Sequence, residues 1–297
     1  MPARPFVDQP VGDVNDARAL ARRVSQSLVL PDPVLLRVGM NALFRAAHVI
    51  VRVGRPSAPA HLSIELAERL RERGIAAPTP AAGDVFVDGE LAATCWKPLI
   101  DTGDPIDWRE VGAIVRRVHA LRPSDLPDGY PLPPPTAFPW WDFDALIADV
   151  GDDIDAAARG GLEAAIARNV AWRRLDGESV VCHGDVHPGN VVMTTDGPVL
   201  IDWDLMCRAP AGWDHAMLLT VAERWGGDEG AYPAFAGGYG ESRADDPATR
   251  RFAELRNVAA TLMRVRAGRT DPAARAEAER RLRYWRGDRD APAWHAQ

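Results

Sequence analysis

The 297-residue sequence is almost without lysine: Lys97 stands alone against 34 arginines. Cysteine is scarce too. Cys95, Cys182 and Cys207 are an odd number in no metal-like spacing, which excludes a disulfide scaffold and fits a reducing cytoplasm. No apolar run approaches the ~20 residues that cross a bilayer. The first ten residues carry Arg4 and Asp8 and no apolar stretch, so neither a membrane span nor a secretory leader is expected. Positive charge is in deficit, with 35 basic against 42 acidic side chains. Residues 1–249 hold 23 of the basic and 36 of the acidic groups, while residues 250–297 hold 12 and 6. An acidic body excludes general nucleic-acid binding. The arginine-rich end has interspersed acids and recurring apolar residues, and reads as a solvated helical face.

What is present is ordinary for a globular chain: 46% hydrophobic and 26% charged residues, long enough for two lobes that each bury a core. Residues 34–53 read as strands, with Val34, Leu35, Leu36 and Val38 before a Gly39-Met40-Asn41 turn and Val49-Ile50-Val51-Arg52-Val53 after it. Leu62, Leu66 and Leu70 recur at helical spacing, and Gly74 is placed to cap that helix. Residues 83–97 read as a hairpin around Asp88-Gly89. Asp104 and Pro105 predict the start of the next helix, whose stripe of Trp108, Val111, Val115 and Val118 runs to Leu121. Residues 123–155 hold seven prolines, eight aspartates and no basic residue. A long helix is expected over 156–175, a second hairpin over 179–203, and helices from about 212 onward.

The densest polar cluster is His183-Gly184-Asp185-Val186-His187-Pro188-Gly189-Asn190, followed by Ile201-Asp202-Trp203-Asp204. A strand ends, a loop exposes an acid, and a hairpin returns with further acids. Phosphoryl transfer from ATP needs such a point, with one carboxylate to take the proton of the attacking hydroxyl and hard oxygen donors to hold Mg²⁺. Asp185 is the candidate base, and Asn190 and Asp202 are the candidate metal ligands. The Asp-x4-Asn spacing matches the kinase catalytic loop.

At these residues the chain resembles the aminoglycoside phosphotransferase family of small-molecule kinases. The resemblance implies an α+β, bilobal, protein-kinase-like fold, with an N-lobe over 1–97 and a mostly helical C-lobe over 98–297. It implies ATP and Mg²⁺ as cofactors and a small-molecule hydroxyl as acceptor. Val118-His119-Ala120-Leu121 and Gly212-Trp213-Asp214 fall where the family has similar features, and His183 resembles the histidine that braces the catalytic loop. The family places a phosphate-contacting basic residue on its third N-lobe strand, and here that residue is Arg52. Its expected partner is Glu65, with Glu68 as the alternative. The turn at Gly39 and Asn41 would lie over the phosphates, and the adenine hinge would fall at Cys95-Trp96-Lys97-Pro98. His187, Asp204, Trp141 and Asp142 are candidate substrate or metal-side residues, the last two as part of an aromatic and acidic wall suited to a sugar or a cationic amino alcohol. Two other readings stand beside this one: a metallohydrolase using His183, Asp185 and His187, and a nucleotide-binding pseudokinase.

Overall fold

The computed structural model describes residues 3–175 and 177–295. Strand β1 (Val7–Gln9) and helix α1 (Val14–Ser27) come first. Nothing in the sequence pattern described above predicts α1. Asp13 caps it by accepting from Asn15 N at 2.8 Å, and Ala17, Leu20, Ala21 and Val24 form its buried stripe. Strands β2 (Val34–Val38), β3 (Ala42–Ala46) and β4 (Val49–Pro56) follow as expected, then helix α2 (His61–Glu72) and the hairpin β5 (Phe86–Asp88) and β6 (Leu91–Trp96). The antiparallel sheet runs β2-β3-β4-β6-β5, with β1 along β4. Side chains alternate along a strand, so Val49, Val51 and Val53 enter the core with α1, whereas Arg52, opposite Leu43 and Thr94, points away from it. That parity places a guanidinium on the sheet face turned from α1.

Helix α3 (Trp108–His119) starts later than the sequence suggested. Its cap is Asp107, which accepts from Glu110 N at 3.1 Å, and not Asp104. The capping residue is the one adjoining the first buried position, Trp108, and Asp104 lies outside that contact. Helices α4 (Phe143–Val150) and α5 (Ala156–Arg168) come next. α5 is shorter than expected: at Asn169 the chain tightens into a 3₁₀ turn over Val170–Arg174, because the Asn169 amide donates to Ala165 O at 2.8 Å and to Glu254 Oε2 at 2.6 Å.

Strands β7 (Ser179–Cys182), β8 (Val191–Thr194), β9 (Gly197–Leu200) and β10 (Cys207–Pro210) make two small ladders. The expected single hairpin over 179–203 is in fact only β8 with β9, and β7 pairs with the unforeseen β10. Segments 183–190 and 201–206 therefore leave the two ladders side by side. Helices α6 (Gly212–Trp225), α7 (Ala231–Tyr239), α8 (Pro247–Ala267) and α9 (Pro272–Trp285) complete the C-lobe. One apolar cluster joins Leu62, Leu66 and Leu70 of α2 to Val111, Val115, Val186 and Trp203, so α2 packs against the C-lobe. No helix among the described residues is long and apolar enough to cross a membrane.

Candidate active site

The loop after β7 turns at Gly184, where φ is +94°, and a Cβ there would stand 1.8 Å from the Leu205 carbonyl oxygen. Only glycine fits such a position. The loop is held from beneath by Asp214 of α6, which is fully buried. Its carboxylate accepts from His183 N at 2.8 Å and Gly184 N at 2.9 Å, and lies 3.0 Å from His119 Nε2. The His119 Nδ1 in turn lies 2.9 Å from the Tyr239 hydroxyl. Three helices thus converge on one carboxylate that fixes the loop backbone.

The His183 ring joins this loop to the next. Nδ1 accepts from Asp185 N at 3.3 Å, Nε2 donates to Ile201 O at 3.1 Å, and the ring stands edge-on to Trp203 at 4.6 Å. Burial lowers its pKa, so it is a neutral brace. Both ring nitrogens are used internally, which removes the ligand on which the metallohydrolase reading depended.

Asp185 is half-buried at the loop's tip. Asn190 Nδ2 donates to its main-chain O at 3.0 Å and to its Oδ2 at 3.1 Å. His187 Nε2 lies 3.4 Å from Oδ2, and Arg256 Nη1 lies 3.4 Å from Oδ1. Burial works against its charge, but His187 and then Arg256 outweigh that and hold the carboxyl below the usual range. Arg256 was not foreseen. It sits on α8 over the Trp213 ring at 4.7 Å and donates to Gly184 O at 2.7 Å. Its only sequence signal was an arginine within the buried stripe of Leu255, Asn257 and Val258.

Asp202 adopts φ +63°, a left-handed conformation that a non-glycine residue enters at a cost of about 1 kcal/mol or more. It opens to the cleft between the lobes. Enclosure by the cleft walls, and then the charge of Asp204, push its carboxyl up to about 7. Asp204 itself is buried and takes Arg52 as its ion-pair partner, while Asn41 Nδ2 donates to the same Oδ2 at 3.2 Å. The cleft has a volume of about 350 Å³. Gly39, Asn41, Arg52, Trp96 and Lys97 line it from the sheet, and Asn190, Asp202 and Asp204 line it from the C-lobe. Asp185 lies beyond that lining, next to Asn190.

Three expectations need correction. Arg52 does not pair with Glu65: Glu65 is held by Arg69 at 2.5 Å one turn along α2, and Glu68 is exposed. An i,i+4 pair on one helix needs no long reach, whereas Asp204 faces Arg52 directly. Trp141 is no pocket wall. It is buried in the C-lobe core, with ring centroids 4.4 Å from Trp213 and 5.0 Å from Trp172. Asp142 caps α4 by accepting from Ala145 N at 3.1 Å.

A sheet-based lobe over a helical lobe, with an Asp–Asn loop beside an acidic strand end, defines a small-molecule kinase of protein-kinase-like architecture. The chain belongs to the APH phosphotransferase enzyme family, whose model matches residues 38–255. A comparison with curated proteins found no match. Among solved structures, the amicoumacin kinase hAmiN, in complex with AMP-PNP, Ca²⁺ and Ami, is similar with a TM-score of 0.70 at 14% identity, over 93% of this chain and 96% of that one. The spectinomycin phosphotransferase APH(9)-Ia, in complex with ADP and its antibiotic, gives 0.63 at 15% identity, over 89% and 94%. The aminoglycoside phosphotransferase APH(3'')-Id from Streptomyces rimosus, with ADP and streptomycin, gives 0.57 at 22%, over 83% and 98%. At these identities the likeness is one of fold.

Proposed function

We propose that this phosphotransferase moves the γ-phosphate of ATP to a hydroxyl of a small molecule, with Asp185 as the base. The observation that carries the reading is the Asp185–Asn190 hydrogen bond beside the Asp202–Asp204 pair, because it gathers a carboxylate base and hard oxygen donors at the mouth of one cleft. Asn190 and Asp202 would hold Mg²⁺. The donor set fits that ion: oxygen ligands only, one of them an acid crowded by the neighbouring Asp204 carboxylate, whose pKa enclosure and then that charge raise. The ion would draw negative charge from the phosphate oxygens. Arg52 is the phosphate contact, Gly39 and Asn41 form the turn above it, and Trp96 with Lys97 marks the hinge where β6 leaves the sheet. Nucleotide-bound relatives of the same fold support the donor. The three free, buried cysteines suit a cytoplasmic enzyme.

The acceptor proton leaves to Asp185, which the cations beside it keep ionised and thus able to accept. With Trp141 and Asp142 in structural roles, the aromatic and acidic wall no longer argues for a cationic acceptor, and a hydroxyl-bearing small molecule is the class supported. An ADP-release screen over aminoglycosides, amino sugars, sugars, macrolides and amino alcohols should find an acceptor. With that acceptor, Asp185→Asn should lose roughly 10²–10⁴-fold in turnover, and chelation of divalent cations should stop release. A wild-type rate in Asp185→Asn would end the base assignment.

A further inference from the structure

The N-lobe cation is fastened to the wrong lobe for a cation oriented by its own helix. Arg52 lies on β4, yet its Nη2 donates to Asp204 Oδ2, which is 152 residues away on the C-lobe segment after β9. The same oxygen accepts from Asn41 Nδ2 at 3.2 Å, on the turn between β2 and β3. The Asp204 backbone is tied the same way, since its carbonyl accepts from Phe6 N at 2.9 Å. Side chain and main chain of one C-lobe residue thus hold three separate N-lobe segments.

The packing around this contact leaves little freedom. The Arg52 and Asp204 side chains are only 18% and 8% exposed, so the pair is shielded from the screening that weakens surface ion pairs. A Cβ at Gly54 would stand 2.0 Å from Asn41 Oδ1, so the absence of a side chain on β4 is what lets the Asn41 amide lie there. Helix α2 supplies no competitor, because Glu65 is engaged by Arg69 and Glu68 faces solvent.

We propose that Asp204 is the positioning residue for Arg52, so that the phosphate-contacting guanidinium is oriented across the cleft and the nucleotide site reaches full affinity only where the lobes are latched by this pair. The proposal rests on the reading of Arg52 as the phosphate contact. Its chemistry follows from the side chain. A guanidinium is a rigid planar fork, so a carboxylate on Nη2 sets the plane in which Nη1 and Nε meet phosphate oxygens. A lysine ammonium has no plane to set. Arginine on this strand therefore needs an aligned carboxylate more than lysine would, and Asp204 provides it.

The test is calorimetric binding of AMP-PNP at fixed Mg²⁺ to the whole chain, for Arg52→Ala, Asp204→Asn, the double variant and Glu65→Gln, with melting temperatures to establish folding. We expect Arg52→Ala and Asp204→Asn each to weaken binding about tenfold. The double variant should bind no more weakly than Arg52→Ala, because Asp204 acts through Arg52. Glu65→Gln should bind within twofold of wild type, and the Mg²⁺ concentration that half-saturates binding should not move in Asp204→Asn. Unchanged binding in Arg52→Ala overturns the phosphate reading itself. Weakening in Arg52→Ala with none in Asp204→Asn overturns only the positioning role. Additive losses with a raised Mg²⁺ requirement make Asp204 a metal ligand and also overturn it, as does a tenfold loss in Glu65→Gln. If Asp204→Asn does not fold, Asp204→Glu tests the alignment, since it keeps the charge and moves the carboxylate by one methylene: it should weaken binding about tenfold, and wild-type binding would overturn the proposal.

Discussion

Replacing Asp214 by asparagine removes a buried charge while keeping its shape, and the structure sets the size of the effect. Two backbone N–H groups, from His183 and Gly184, reach separate oxygens of Asp214. An asparagine offers one oxygen and one NH₂, so one buried N–H loses its acceptor, at about 1–3 kcal/mol. The second loss is the pairing with His119. Burial disfavours its imidazolium, but Cys182 and Asp214 against the ring more than compensate and lift its pKa from 6.5 to about 9. Burial keeps the Cys182 thiol protonated, so Asp214 is the partner that carries charge at neutral pH. An imidazole with a raised folded pKa stabilises the fold fully below about pH 6.5, and the contribution fades as pH rises through about 9. At pH ~7.5 the shift is worth at most about 2 kcal/mol. Asp214→Asn should therefore cost between about 1 and 5 kcal/mol there, the upper end falling in the range for one lost partner of a buried pair. Urea unfolding followed by tryptophan fluorescence measures it, since Trp213, Trp141 and Trp172 form a buried ring cluster. The deficit should shrink by up to about 3 kcal/mol between pH ~6.5 and ~9.5. A deficit equal at both pH values would refute the charge argument, and a variant within about 0.5 kcal/mol of wild type would refute the role of Asp214 as the loop's anchor.

Arg256→Met takes a cation from beside Asp185, so the base's pKa should rise and the acidic limb of the ADP-release profile should move to higher pH. An unmoved limb would leave His187 as the sole source of the depression. Gly184→Ala forces a Cβ to 1.8 Å from a carbonyl oxygen at φ +94°. It should destabilise by about 2 kcal/mol or more, read as a lower urea midpoint, together with a loss of turnover. Arg52→Ala should raise the KM for ATP far more than Lys97→Ala, although both side chains line the cleft. The opposite order would return the phosphate contact to the lone lysine.

The legible part of the site was the part contiguous in sequence. Residues 183–190 carry the proposed base, the brace and a proposed metal ligand within one loop, and the strand-end acids follow within one hairpin. Local spacing suffices there because a turn brings such neighbours together whatever the rest of the chain does. The strands over 34–53, helix α2 and the 86–96 hairpin were legible for the same reason, each having its own periodicity and turn residues. Helix α1 was missed although Asp13 and the stripe of Ala17, Leu20 and Val24 were open to reading. The start of α3 was misplaced because Asp104 and Asp107 both look like caps until burial of Trp108 decides between them.

Sequence by itself determined the family and the kinase-like architecture, since these rest on residue type at fixed short spacing. Tertiary structure decided the partners. Trp141 and Asp142 look like a binding wall in a proline-rich stretch, but packing on Trp213 and capping of α4 give both a structural use. Arg256 reaches Asp185 from α8, 71 residues away, and Arg52 takes Asp204 instead of either glutamate on α2. A charged side chain selects its partner by distance, burial and competition in three dimensions. Each of the α2 glutamates was a plausible partner by spacing, and none of those three quantities can be read along a line.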